Sequence, residues 1–268
     1  MHETAILPLD ELANLVSSDS SISIPPDYSF VSMAVTRALI RQNKTKLYLL
    51  SVPQSGIQTD MLVGAGCVSE IETAAVSLGE FGSAHQVNAA LKAGILTIIN
   101  STCPAIHAGL QASEKGLPFL PLRGLIGTDL LRTRPDWIQA ENPLSKNDPI
   151  VFLPAIKTDF AIFHAPFADR EGNVWIGRRR ELATMSHAAE QTLVTVEEIR
   201  ETNIMSDELT ACGALSAMYV TAIAEVPNGA WPLGLSTIYP PDFSHLELYS
   251  KMARKRESFK QYLNEYVL

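Results

Sequence analysis

The sequence predicts an α/β protein, an open and mostly parallel sheet with flanking helices. Two observations carry this expectation. Short apolar runs alternate with amphipathic stretches along the whole chain, the pattern of strands wrapped by helices. Two of the amphipathic stretches stop at glycines, Gly94 and Gly116, which supply the left-handed residue that ends a helix. With 268 residues, 46% of them hydrophobic, the chain can bury a sizeable core.

The elements follow in order. Residues 29–41 place Met33, Ala34, Ala38 and Leu39 at helical spacing, with Arg37 and Arg41 on another face. Residues 46–52 (KLYLLSV) read as a buried strand, and Pro53-Gln54-Ser55-Gly56 turns the chain. A short helix over 60–66 and an extended segment over 68–76 come next. A helix over 84–93, a strand over 95–99 and a helix over 104–115 follow. Residues 117–122 form an extended piece broken by prolines, and 123–148 a long surface excursion holding Arg132, Arg134 and Trp137. Strands over 150–153, 160–164, 173–176 and 192–196 return in quick succession, with residues 187–191 closing a helix before the last. Residues 218–226 make another strand, and 246–266 a helical tail. No repeat or linker interrupts the pattern, so residues 1–268 are expected to form one domain.

Bulk properties narrow the function. A formal charge of −8 argues against a nucleic-acid or anionic-membrane partner. The three cysteines, Cys67, Cys103 and Cys212, form no CxxC pair and read as buried free thiols of a reducing compartment. The acidic start lacks a signal-peptide pattern, and no apolar run approaches the roughly 20 residues that span a bilayer. A cytoplasmic protein is expected. Neither a GxSxG elbow, a Walker loop, GxGxxG nor HExxH occurs, and the histidines do not cluster at metal-ligand spacing. A self-contained hydrolase, kinase or metalloenzyme has no support here.

Four local features remain. His164 should emerge at the carboxyl edge of a strand, just before a tight turn through Asp169, Gly172 and Asn173. A hydrogen bond to the backbone suits it better than direct catalysis. Gly229-Ala230 permits close backbone approach. Arg178-Arg179-Arg180 reads as a solvated face, and Glu197-Glu198 as the cap or first turn of a helix.

Taken in order, a set of motifs resembles the alpha subunits of family I CoA-transferases, the glutaconate CoA-transferase group. They are DMLVGAG at 60–66, GLPFL at 116–120, Gly127-Thr128-Asp129-Leu130, Glu141-Asn142-Pro143, His164-Ala165, Ala168-Asp169, Gly172-Asn173-Val174, Ala188-Ala189, TLVTVEEI at 192–199 and Val226-Pro227 with Gly229-Ala230 and Pro232. The likeness runs from about residue 10 to the C-terminal helix. It implies the open-sheet CoA-transferase fold, coenzyme A as co-substrate without a metal, and a beta-type partner subunit in a hetero-oligomer. It also implies that the nucleophilic glutamate lies on that partner, so no catalytic residue is assigned to this chain. The substrates would be an acyl-CoA and a small carboxylic acid.

Two departures bear on mechanism. Where relatives carry an early Gly-Gly-Phe loop, this chain reads Ile24-Pro25-Pro26-Asp27-Tyr28-Ser29-Phe30. Proline removes φ freedom and a donor N–H, which argues against an oxyanion or CoA role for that loop. Where relatives have an acidic pair, the chain has Ile98-Ile99-Asn100-Ser101-Thr102. Asn100 and Ser101 can orient a ligand but cannot serve as an ordinary general base. A ring-cleaving or CoA-thioester hydrolase of the same family is therefore the second reading, and a non-catalytic acyl-CoA-binding chain the third. The segment 77–83 (SLGEFGS) is expected to face the pocket, with Glu80, Gly82 and Ser83 near the acyl group.

Overall fold

The computed structural model describes residues 4–236 and 238–268. Its centre is a ten-stranded sheet whose main path runs Ala5–Ile6, Ala222–Glu225, Ala189–Arg200, Thr158–Asp169, Ser21–Ile24, Leu47–Ser51, Val68–Thr73, Thr97–Asn100. Every neighbouring pair on that path is parallel. Two short strands, Val174–Trp175 and Ala214–Leu215, join antiparallel at the side.

Strand order follows from the connections. From Ser21–Ile24 the chain winds outward through Leu47–Ser51, Val68–Thr73 and Thr97–Asn100. It then returns to lay Thr158–Asp169 on the opposite flank of Ser21–Ile24 and winds the other way. The order therefore reverses between Ser21–Ile24 and Thr158–Asp169. In open parallel sheets a crevice forms outside the carboxyl ends of the strands at such a reversal.

Alternation along each strand fills two layers. Leu47, Leu49, Ile22 and Ile162 point to one face, where they meet Met33, Ile57, Tyr249 and Tyr262 from the covering helices. Leu50, Ala161, Phe163 and Val194 point to the other, against Ile106, Leu110, Leu182 and Met185. Helices cover both faces, as a fully buried parallel sheet requires. Local chemistry sets their ends. Ser32 accepts from the Val35 N–H at the start of Met33–Arg41, and Thr102 accepts from Ala105 N–H at the start of Cys103–Glu114. Gly94 and Gly116 close two helices with φ of +68° and +67°.

The excursion is more ordered than its sequence suggests. Phe119–Leu122, Pro149–Pro154 and Ile138–Glu141 pair antiparallel as a second, three-stranded sheet. Leu125, Trp137, Val151 and Leu153 pack there against Ala105 and Ala108. Arg134 reaches back from this layer to the main sheet, where its Nη1 donates to Glu72 Oε1 at 2.7 Å and to the Asn100 carbonyl.

Several sequence expectations are corrected. Glu197 lies inside the strand Ala189–Arg200 and caps no helix. The helix expected to close over 187–191 ends at Ala188, and residues 218–226 are strand only over Ala222–Glu225. Cys67 is buried, and its thiol is pushed up to about 11 by burial, but Cys103 and Cys212 are exposed free thiols. Arg179 is half-buried against the Phe30 ring, 3.7 Å from its centroid, whereas Arg178 and Arg180 are exposed. No helix among the described residues is long and apolar enough to cross a membrane.

Candidate functional site

A cleft of about 620 Å³ opens beside the point where strand order reverses. One wall is made by turns at the carboxyl ends of consecutive strands. Asp27 and Tyr28 follow Ser21–Ile24, Gln54 and Ser55 follow Leu47–Ser51, and Ser77, Leu78, Gly79 and Glu80 follow Val68–Thr73. The other wall carries Leu233, Gly234, Ser236 and Tyr239, and Arg179 brings a guanidinium to the rim.

Asp27 has the least ordinary environment. Its Oδ2 accepts the Ile57 N–H at 3.0 Å, at the first turn of the helix Ile57–Gly64. Its Oδ1 is buried and has no hydrogen-bond partner. Burial raises the carboxyl from its ordinary value to about 6, against the pull of the Ile57 and Gly56 amides. Gly56 makes this approach possible, because a Cβ there would sit 2.1 Å from Asp27 Oδ2 and 2.6 Å from the Ser77 carbonyl oxygen. Beside it, Ser51, Ser55 and Thr59 form a short hydroxyl chain with 2.7 Å spacings.

The opposite wall hangs from a buried polar chain. Tyr239 donates to Glu197 Oε1 at 2.7 Å, and the Asn228 N–H donates to Glu197 Oε2. His164 lies wholly buried within its strand, with Nε2 2.7 Å from the same Glu197 oxygen and Nδ1 2.8 Å from the Thr195 hydroxyl. Ser32 continues the chain to Thr195. This network assigns Nε2–H to the neutral ring, donating to Glu197 while Nδ1 accepts from Thr195. Gly229 lets the turn approach, since a Cβ there would meet the His164 ring at 2.5 Å. His164 thus positions Glu197 and does not reach the cleft.

This chain of groups makes the fold acid-sensitive. Burial lowers the His164 pKa against the pull of Glu197. Burial alone would raise Glu197, but hydrogen bonds from His164, Tyr239 and Asn228 leave it lowered. Both shifts have the same sign in stability. The His164 contribution is complete above an unfolded-state pKa of about 6.5 and declines as pH falls below it; Glu197 follows below about 4.3. Thermal melts between pH 5 and 7 should therefore be flatter for His164→Gln than for the unaltered protein. Parallel pH profiles would contradict the assignment of a neutral buried ring.

The residues expected to bind substrate divide into two places. Glu80 lines the cleft on an exposed 3-10 turn, with Gly82 and Ser83 exposed just beyond it. Asn100 and Ser101 are not part of the cleft lining. They end the edge strand, where Asn100 accepts from Arg134 and the buried Ser101 hydroxyl has no partner. Sequence reasoning misses Asp27 and Tyr239. It weighs the Pro-Pro loop by the backbone groups it lacks, whereas the carboxyl that follows is the available signal.

No family model matches the chain. Among curated proteins, it is 27% identical to the A-type subunit of 3-oxoadipate CoA-transferase from Pseudomonas knackmussii, over 96% of this chain and 91% of that one. It is 28% identical to the A-type subunit of glutaconate CoA-transferase from Acidaminococcus fermentans, over 85% of this chain and 76% of that one. The crystal structure of glutaconate CoA-transferase from Acidaminococcus fermentans has the same fold, with a TM-score of 0.89 over 98% of this chain and 89% of that chain, at 24% identity. A cholesterol ring-cleaving hydrolase IpdA subunit of Rhodococcus jostii is 27% identical, over 88% of this chain and 82% of the relative. The chain is thus similar to A-type CoA-transferase subunits over most of their length, and it has the fold of glutaconate CoA-transferase.

Proposed function

We propose that this chain is the alpha-type subunit of a heteromeric cytoplasmic CoA-transferase, moving CoA between an acyl-CoA and a small carboxylic acid. The observation that carries the reading is the cleft at the sheet's reversal point, in a chain that matches the A-type subunit of 3-oxoadipate CoA-transferase over 96% of its length. Its wall mixes apolar groups, Leu78, Phe81 and Leu233, with hydroxyls and one guanidinium, which suits an acyl chain ending in a polar carbonyl. Arg179 is the cation available there for an anionic group of CoA or of the acceptor acid.

In this reading the nucleophile is a glutamate of a beta-type partner. Its carboxylate attacks the thioester carbonyl, the CoA thiolate leaves, and a mixed anhydride forms. The thiolate then attacks the glutamyl carbonyl and expels the acyl group as a carboxylate. A second carboxylate repeats the sequence in reverse and leaves with CoA. Glu80, exposed on its turn at the cleft, is read as a binding residue.

The test is reconstitution with a candidate beta-type chain, followed by incubation with butyryl-CoA and borohydride. Reduction of the enzyme–CoA thioester should mark a glutamate of the partner, and the purified single chain should exchange no CoA. A reduced side chain found on the alpha-type chain, or turnover without its partner, would overturn the assignment. The hydrolase reading gains one specific support, since Asp27 gives this chain a carboxyl of its own in the cleft. Release of free CoA to water by the reconstituted pair, without an acceptor acid, would favour it.

A further inference from the structure

We infer that Asp27 is a ligand-binding residue of this chain, whose protonated carboxyl donates a hydrogen bond from Oδ1 to the acyl carbonyl oxygen of a bound CoA thioester. The inference rests on the CoA-transferase reading of the cleft and names the group of this chain that meets the acyl end.

The geometry has three independent parts. Asp27 follows directly on the strand beside which the order reverses, at the carboxyl edge where open parallel sheets hold ligands. Asp27 keeps some surface and lines the cleft, and its Oδ1 is buried with no partner. A buried polar atom left unpaired is costly, so it is expected to have a role in another state of the protein. Finally, Oδ2 is already committed to the Ile57 N–H. The group is held in place by one oxygen and free to act through the other.

The two prolines before Asp27 fit the same account. Pro25 and Pro26 have no N–H to offer an oxygen in the cleft. The first side chain after them carries an acid, which in its neutral form can donate where the backbone cannot. Desolvation favours that neutral form, and the carboxyl titrates at about 6, not near 4.

Among the charged and titratable surroundings, Asp60 acts in the same direction as burial, and the Ile57 and Gly56 amides act against it. Asp60, whose oxygens take the Gln86 and Val87 amides and the Tyr249 hydroxyl, disfavours a second negative charge nearby. Tyr249, Tyr239 and Tyr28 line the same cleft, and burial pushes the hydroxyls of Tyr249 and Tyr239 up, which keeps those two protonated. Glu80 and Arg179 stand at the rim. His85 lies close enough to Asp60 to favour its charged form.

The experiment measures butyryl-CoA binding to the assembled complex from pH 5 to 8, comparing the unaltered chain with Asp27→Asn. Asparagine keeps the shape, keeps an acceptor for Ile57 and can still donate, but does not titrate. In the unaltered chain, Kd should rise about tenfold per pH unit above about pH 6, beyond any dependence shared with Asp27→Asn. Asp27→Asn should bind with little further pH dependence, and with at most a few-fold change at pH 5. Asp27→Ala, checked for folding by its melt, should bind at least tenfold more weakly at pH 5. Side-chain carboxyl 13C resonances, with Asp27 assigned by its loss in Asp27→Asn, should show its titration moving to higher pH when butyryl-CoA binds. Identical pH profiles for the two proteins would overturn the inference and leave the transferase reading standing. Loss of binding in Asp27→Asn at all pH values would overturn it as well, by showing that the charged carboxylate is needed. Failure of butyryl-CoA to bind the complex at all would remove both.

Discussion

Replacing Arg134 by alanine should destabilise the protein by about 3–5 kcal/mol, the usual cost of stranding one member of a buried ion pair. Arg134 and Glu72 have side chains only 8% and 6% exposed, at 2.7 Å separation. Glu72 would keep the Tyr48 hydroxyl on Oε2, which burial and the Glu72 charge hold protonated, but its Oε1 would face no donor. The loss extends beyond the pair. Arg134 also binds Asp136, stacks 4.3 Å from the Trp137 centroid and accounts for the Asn100 carbonyl. Denaturant unfolding followed by tryptophan fluorescence should show the drop. Combining Arg134→Met with Glu72→Gln should recover part of it, because no charge is then left alone. A single variant within about 0.5 kcal/mol of the unaltered protein would mean that the pair is solvated after all.

The second large effect belongs to Gly56. An alanine there must displace either the Asp27 carboxyl or the Ser77 carbonyl. The carbonyl cannot give cheaply, because Ser77 is tied by its N–H to Ser55 and by its hydroxyl to the Gly79 amide. Asp27 would give, losing its bond to Ile57 at the helix start. Overpacking of this kind costs about 1–3 kcal/mol, and the upper end applies here because the hydrogen bond from Ile57 to Asp27 goes with it. Gly56→Ala should accordingly melt lower and bind butyryl-CoA at least tenfold more weakly, while its far-ultraviolet spectrum stays unchanged. Normal binding by a destabilised Gly56→Ala would separate the fold from the site and count against the role of Asp27.

Much of the architecture is legible in residue patterns, and the reasons are local. Met33–Arg41 shows its apolar face at helical spacing, and Gly94 and Gly116 announce two helix ends whatever the rest of the chain does. The order of strands cannot be read in the same way. The reversal beside Ser21–Ile24 depends on where Thr158–Asp169 returns, and nothing near either strand encodes the other. The excursion hides its order for a related reason. Its three strands are short, and their arrangement comes from packing on Cys103–Glu114 and from Arg134. Glu197 suggests a helix start because two acids in sequence suit one, yet its strand runs over Ala189–Arg200, far past the expected end at 196. Of the cleft lining, Glu80 falls in the segment 77–83 that the resemblance singles out, whereas Asp27 becomes visible only through its burial and its unpaired oxygen.

The two sides of the cleft differ in how they are attached. The side bearing Asp27 and Ser55 is built from turns that are continuous with sheet strands, so it can shift only if the sheet does. The side bearing Tyr239 is moored to Glu197 by two hydrogen bonds, from Tyr239 and Asn228, while His164 holds Glu197 from within the sheet. A wall fixed by the sheet's own backbone thus faces one fixed in part by side chains, so the second can be loosened by substitution without disturbing the strands.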